Sequence, residues 1–409
     1  MNTQIQSPIS KTPNAMNASN QRQKTIAILT GGGDVPGLNP AINAITTRAL
    51  REGFRVIGIK NGWKGAISID PSKDFEYQDY CIELDENIAT FAAHSGSTFL
   101  HSSRINPDKV VLSEVPTHLT AQYNHPINDL TQVVIDNLKF LNIDYLIPIG
   151  GDDSLNFAAK LHKAGIKLIA IPKTMDGDVP GTEYCIGFST CVTRTIELTQ
   201  AIRSSAGANE RLMVIEVFGK NAGFSALLPT VGGAADHCVI PEFQFNIDRL
   251  AQLMVESHHN NLEKYAVVLV SEGASFEGME SHYPGQSIGE LVAKELKHLS
   301  AKYNNGKEIN VINQKLGYLV RSGHPDALDS IVPTAYANLA LDLIRKDMHG
   351  RMVCIRDGQY THIAINQVFK GDNQTAQKQV SIEKFYDTKN YKPKYDYIVG
   401  EPMLILTRD

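Results

Sequence analysis

Short apolar runs alternate along the first half of the chain with segments whose apolar positions recur every three to four residues. Thr25 to Thr30 reads as a buried strand, about Pro40 to Arg51 as an Ala/Ile-rich helix, and Arg55 to Ile59 as a second strand, the order of a βαβ unit. The same pattern returns with Tyr145 to Ile149 as strand, Ser154 to Lys163 as helix and Lys167 to Ile171 as strand. Leu212 to Val217 and Ala266 to Val270 read as further strands, and runs apolar on both faces predict a largely parallel sheet covered by helices. No repeat of fixed period stands out. Asp372 to Tyr397, crowded with Lys, Asn, Gln and Asp, is the least core-like stretch and is expected on the surface.

The first 23 residues are rich in Asn, Gln, Ser and Thr and lack the apolar core of a signal peptide, which predicts a disordered arm. No stretch approaches the roughly eighteen consecutive apolar residues of a membrane helix, so no membrane partner is expected. With 409 residues the chain has enough length for more than one core. Lys and Arg number 39 against 44 Asp and Glu, a balance that argues against nucleic acid as a partner. The five cysteines, Cys81, Cys185, Cys191, Cys238 and Cys354, never form a Cys-x-x-Cys pair; they predict a reducing, cytoplasmic setting without structural zinc or disulfides.

Candidate chemistry gathers where predicted strands end. Thr30-Gly31-Gly32-Gly33-Asp34-Val35-Pro36-Gly37-Leu38-Asn39 runs into a helix, and its glycines let backbone amides approach an anion. Its spacing is neither Gly-x-Gly-x-x-Gly nor the P-loop, which weakens a nicotinamide-dependent oxidoreductase or standard nucleotide-loop reading. Gly150-Gly151-Asp152-Asp153-Ser154 adds two carboxylates, hard oxygen ligands suited to Mg²⁺, although Asp152 and Ser154 could equally be helix caps. Pro172-Lys173-Thr174-Met175-Asp176-Gly177-Asp178 combines a cation, a hydroxyl and two carboxylates. Phosphoryl transfer to an alcohol needs that mix, a base for the hydroxyl proton and cations for the transferring group. Gly96 to Arg104 ends in a guanidinium that could bridge phosphates.

In this order the four loops resemble those of the phosphofructokinase family. The likeness continues through Glu210-Arg211, Glu216 to Gly223, Ser271-Glu272-Gly273 and Leu316 to Gly323, and so covers about Thr25 to Ile365. The resemblance implies an α/β fold of two similar three-layer α/β/α lobes with largely parallel sheets and the active site in the cleft between them. A phosphoryl-donor lobe would comprise residues 24–187 and 320–367, and a sugar-phosphate lobe residues 188–319 and 368–409. It further implies Asp176 as general base, Thr174 and Asp178 shaping its loop, Asp152 holding Mg²⁺, and Arg104 bridging donor and acceptor phosphates. Gly32 and Gly33 would cradle the donor. Glu272, Phe218, Gly219, Lys220 and Tyr318 would line the sugar site, with Arg321 and Arg211 gripping the sugar's phosphate. Arg211 would reach across a subunit boundary of a homo-oligomer, a dimer or tetramer with a shared active site.

Members using ATP carry glycine where this chain has Asp153 and Lys173, a pair typical of the pyrophosphate-using branch. A carboxylate near a nucleotide's α-phosphate repels it, whereas an ammonium can grip a departing phosphate. The expected reaction is the Mg²⁺-dependent, reversible transfer from pyrophosphate to the C1 hydroxyl of fructose 6-phosphate, giving fructose 1,6-bisphosphate, with an ATP-dependent enzyme or a non-catalytic sugar-phosphate-binding subunit as alternatives. Asn43 and Thr47 on the first helix stand where allosteric members carry arginines, so no nucleotide effector site is expected there. The chain departs from the family at Gly177 (usually Asn), Lys220 (usually Arg), His101 (usually small) and Val320-Arg321-Ser322-Gly323, and Glu308 to Gln314 lacks an arginine. A pocket altered around Tyr318, Phe218 and Arg321 leaves room for a longer sugar phosphate such as sedoheptulose 7-phosphate.

Overall fold

The computed structural model describes residues 22–93, 96–279, 285–369 and 377–395. Along the first lobe run β1 (Thr25–Thr30), β2 (Arg55–Ile59), β3 (Cys81–Glu83), β4 (Val110–Val111), β5 (Ile127–Asn128), β6 (Tyr145–Gly150) and β7 (Ile169–Pro172). The second lobe contributes β8 (Leu212–Val217), β9 (His237–Val239), β10 (Ala266–Ser271) and β11 (Val311–Lys315). Then β12 (Arg351–Arg356) and β13 (Gln359–Ala364) rejoin the first, and β14 (Tyr386–Asp387) pairs with β15 (Lys392–Pro393). Seven strands form one sheet in the order β13-β12-β7-β6-β1-β2-β3, and four form another in the order β11-β8-β10-β9. All neighbours are parallel except at the two edges of the larger sheet, where β2 meets β3 and β12 meets β13 antiparallel.

The alternation of side chains along β1 shows why helices cover both faces. Ile26 and Ile28 pack with Leu38, Ile42 and Ile45 of α1 (Leu38–Arg51), whereas Ala27 and Leu29 pack on the other side with residues of three helices. These are Trp63 of α2 (Gly62–Ser68), Leu138 of α4 (Thr131–Phe140) and Leu155 of α5 (Asp152–Lys163); α3 (Glu86–Ala93) lies against α1. The chain then crosses by α6 (Phe188–Gly207) to the smaller sheet, which carries α7 (Phe224–Val231), α8 (Ile247–Asn260) and α9 (Ile288–Tyr303). Finally α10 (Ala327–Arg345) returns to pack on α1. The junction is fastened by Asp329 of α10, which is fully buried. Its Oδ1 accepts from Tyr184 Oη at 2.6 Å and Gly187 N at 2.7 Å, and its Oδ2 from Thr190 N at 2.8 Å and Thr190 Oγ1 at 2.6 Å. A carboxylate from the returning helix thus caps the start of the helix that left.

Several expectations need correction. Helix α5 begins at Asp152 and not Ser154, because a helix start welcomes carboxylates, so Asp152 and Asp153 occupy its first turn. Helix α1 begins two residues before Pro40, whose missing N–H costs nothing in a first turn. Strand β7 spans Ile169–Pro172 instead of starting at Lys167, whose ammonium turns out to Asp347 at 2.8 Å. The stretch expected on the surface buries Val380, Phe385, Tyr386 and Tyr391 in the core of the second lobe, with Tyr386 Oη donating to Cys238 O at 2.8 Å. Its residues 372–376 and 396–397 lie outside the described residues, as do 1–21 of the expected arm. Arg22 is tied to Asp144 at 2.8 Å.

Candidate active site

The C-terminal ends of β1, β6 and β7 deliver three of the four loops to one cleft of about 490 Å³ between the sheets. Its walls include Gly32 and Gly33 after β1, Arg104, Asp152 and Asp153 at the head of α5, and Lys173, Thr174, Asp176 and Asp178 after β7. Lys220 after β8, Glu272 after β10, and Arg321 also line it. A Cβ on Gly33 would overlap Arg321 Nη2, so a larger residue there would have to push that guanidinium aside.

Lys173 is buried and donates from Nζ to Gly33 O at 2.7 Å, joining the third loop to the first. Burial and the nearby Arg321 guanidinium lower its ammonium pKa to about 8. Thr174 Oγ1 donates to Asp178 Oδ1 at 3.0 Å and accepts from Asp176 N at 3.1 Å, so one hydroxyl sets the shape of the loop. Asp176 Oδ1 is buried and makes no hydrogen bond with the described residues. Desolvation, then the charges of Asp178 and Glu272, raise the Asp176 pKa to about 7. Burial also pushes Asp178, Asp153 and Glu272 above the usual carboxylate range. At Gly177 the backbone has φ of +71°, a conformation Asn also tolerates, and the glycine keeps the turn without a side chain against Phe188.

Arg104 is exposed and lines both this cleft and an adjoining one of about 650 Å³ that includes His101, Ser102 and Tyr318. Arg321 is buried. Its guanidinium lies 5.5 Å from the Phe218 ring and 5.6 Å from that of Tyr318, and it donates to Asp34 O through Nη2 at 2.7 Å and Nε at 3.0 Å. Phe218 thus backs the arginine from below, and Gly219 leads to Lys220. Arg211 lies apart: it precedes β8 at the opposite end of a six-residue strand, about 20 Å along the chain from the cleft. On α1, Thr47 Oγ1 donates to Asn43 Oδ1 at 3.3 Å.

A profile of the family described as Phosphofructokinase matches residues 25–344, most of the chain. The chain belongs to the phosphofructokinase family. Its activity class is therefore that of a phosphotransferase acting on a sugar phosphate. Pyrophosphate–fructose 6-phosphate 1-phosphotransferase of Dictyoglomus thermophilum is 32% identical over 84% of this chain and 92% of its own length. ATP-dependent 6-phosphofructokinase 2 of Clostridium perfringens is 31% identical over the same shares. The crystal structure of a pyrophosphate-dependent phosphofructokinase from Marinobacter aquaeolei superposes with a TM-score of 0.67 over 94% of this chain and 92% of that one, at 21% identity, a likeness in fold. Phosphofructokinase relatives with either donor thus match about equally well.

Three further residues, Trp63 and Gln377 in the cleft and Asp34 in the adjoining one, had no role legible in the sequence. Trp63, the one tryptophan, lies edge-on to Phe157 with centroids 4.8 Å apart, and its indole N–H makes no hydrogen bond with the described residues. Asp34 holds Arg321 from 287 positions away, a separation at which spacing carries no signal. Gln377 reaches in from a polar stretch and donates through Nε2 to Asp152 Oδ2 at 2.7 Å.

Proposed function

We propose that this phosphofructokinase transfers a phosphoryl group reversibly from pyrophosphate to the C1 hydroxyl of fructose 6-phosphate. The observation that carries the choice of donor is Lys173, buried with its ammonium on the carbonyl of Gly33, while Asp153 stands beside Asp152 in the same cleft. An ammonium at the donor loop neutralises a compact diphosphate, and a second carboxylate disfavours the longer anion of a nucleotide.

Asp176 accepts the hydroxyl proton through its unpartnered Oδ1 as the sugar oxygen bonds to the terminal phosphorus and the bridging P–O bond breaks, releasing phosphate. Lys173 and Arg104 stabilise charge on the two phosphates, and the Gly32–Gly33 backbone receives the donor. Glu272 and Lys220 face the sugar. The donor set near Asp152 is all oxygen and fits Mg²⁺, which is held by one or two carboxylates together with substrate phosphates; no group of three metal-ligating side chains occurs among the described residues. Asp152 would hold the ion, which when bound supplies neutralisation of the phosphate oxygens. Because Arg211 is a strand's length from its own cleft, it would serve the sugar phosphate of a neighbouring subunit in a homo-oligomer. Five buried, unpaired cysteines favour work in the reducing cytoplasm.

The test is fructose 1,6-bisphosphate formation by the purified protein with Mg²⁺ and fructose 6-phosphate, pyrophosphate against ATP, with Asp176→Ala as control. Turnover with pyrophosphate is expected. Preference for ATP, the donor named for the Clostridium perfringens relative, would show that Lys173 and Asp153 do not select it.

A further inference from the structure

Residues 377–380 run along the mouth of the cleft and touch both lobes. On the side of the larger sheet, Gln377 Nε2 donates to Asp152 Oδ2 at 2.7 Å and Lys378 N donates to Asp178 O at 2.9 Å. On the side of the smaller sheet, Gln379 Nε2 donates to Asn221 O at 3.3 Å and Val380 N to Glu242 Oε1 at 2.8 Å. Glu242 Oε1 also accepts from Gly223 N at 2.9 Å, so the anchor of this strap is the residue that holds the start of α7. Beyond it, Val380, Phe385 and Tyr386 are buried in the second lobe. The strap lies past the 25–344 span matched by the family profile.

We infer that Gln377 is a positioning residue for Asp152, its amide fixing one carboxylate oxygen so that the other meets the divalent cation accompanying the phosphoryl donor. The inference rests on the reading of Asp152 as that cation's ligand. Asp152 Oδ2 is taken by the amide, whereas Oδ1 makes no hydrogen bond with the described residues. A carboxylate with one oxygen tethered has lost its side-chain rotation before the ion arrives, and a neutral amide achieves this without placing a competing cation beside the site. The Lys378 N to Asp178 O bond and the Thr174 bridge then place the tether one loop away from the proposed base Asp176.

Mn²⁺ binding, followed by electron paramagnetic resonance with imidodiphosphate as a non-transferring donor analogue, tests this without turnover. Gln377→Met keeps the side chain's length and removes the donor; a loss of about tenfold in Mn²⁺ affinity is expected, with Gln379→Met unchanged. Asp152→Asn should weaken binding more, and Gln377→Met added to it should have no further effect, since the amide acts through that carboxylate. Unchanged or tighter binding by Gln377→Met, or an equal loss in the Asp152→Asn background, overturns the inference while a weakened Asp152→Asn leaves the ligand reading standing. Equal binding by Asp152→Asn and wild type, or none by the wild type, sinks both.

Discussion

As the proposed base, Asp176 carries two opposed demands in one side chain. A base must be ionised to take a proton, yet its surroundings disfavour charge enough to lift its pKa from 3.8 to about 7. Only above that pH is the carboxylate available, so kcat/KM should fall about tenfold per unit below pH 7, and Asp176→Asn should lose about a thousandfold in kcat above pH 7, a deficit that shrinks as pH falls. The same shift has a sign for stability. Since the folded pKa lies above the unfolded one, the folded state binds the proton more tightly, and stability is lost as pH rises through 7. Asp176→Asn should therefore raise Tm at pH 8, by an amount that shrinks towards pH 4. Calorimetry of both proteins at the two pH values checks this, and an equal or lower Tm for the variant at pH 8 would contradict it.

At the scale of elements, the parallel strands were legible because burial on both faces leaves uninterrupted apolar runs, as in Ile26 to Leu29 of β1 and Ala266 to Val270 of β10. Their C-terminal loops followed from the same reading, which is why Gly32, Gly33, Asp152, Lys173 and Asp176 were candidates before any geometry. The C-terminal strap was hidden for the opposite reason. Val380 at its end and Phe385, Tyr386 and Tyr391 beyond it are buried but scattered among Lys, Asn and Asp with no period of two or 3.6, and Gln377 acts through position alone. The α10 to α6 junction was equally silent, since Asp329 resembles any helix-start acid until its four hydrogen bonds are seen. Asp329→Ala should cost about 3 kcal/mol or more, because the buried N–H and O–H groups of Gly187, Thr190 and Tyr184 are left without an acceptor. Urea denaturation at an unchanged m value measures it; a loss under about 1 kcal/mol would mean that the junction rearranges.

For the whole molecule, the position of Arg211 makes a shared site testable without knowing the assembly's size in advance. If each cleft takes Arg211 from a neighbour, Arg211→Ala and Asp176→Ala are each nearly inactive, but mixed subunits restore some clefts with both residues intact. Random pairing in a symmetric dimer gives about a quarter of the wild-type sites. Activity regained after the two variants are dissociated and reassembled together is the expected result, and none regained would confine the site to one chain.

The pairing of β7 with β12 has a consequence for the order in which the protein can be made. Residues 169–172 leave the ribosome long before residues 351–356, yet they lie side by side in the sheet, and between them come the loop that carries Asp176, the crossing helix, the other lobe and α10. At common translation rates the delay is on the order of ten to thirty seconds, during which the apolar edge of β7 has no partner. The smaller sheet, whose strands all lie within 212–315, can close meanwhile, so the sheet that begins first is the one completed last.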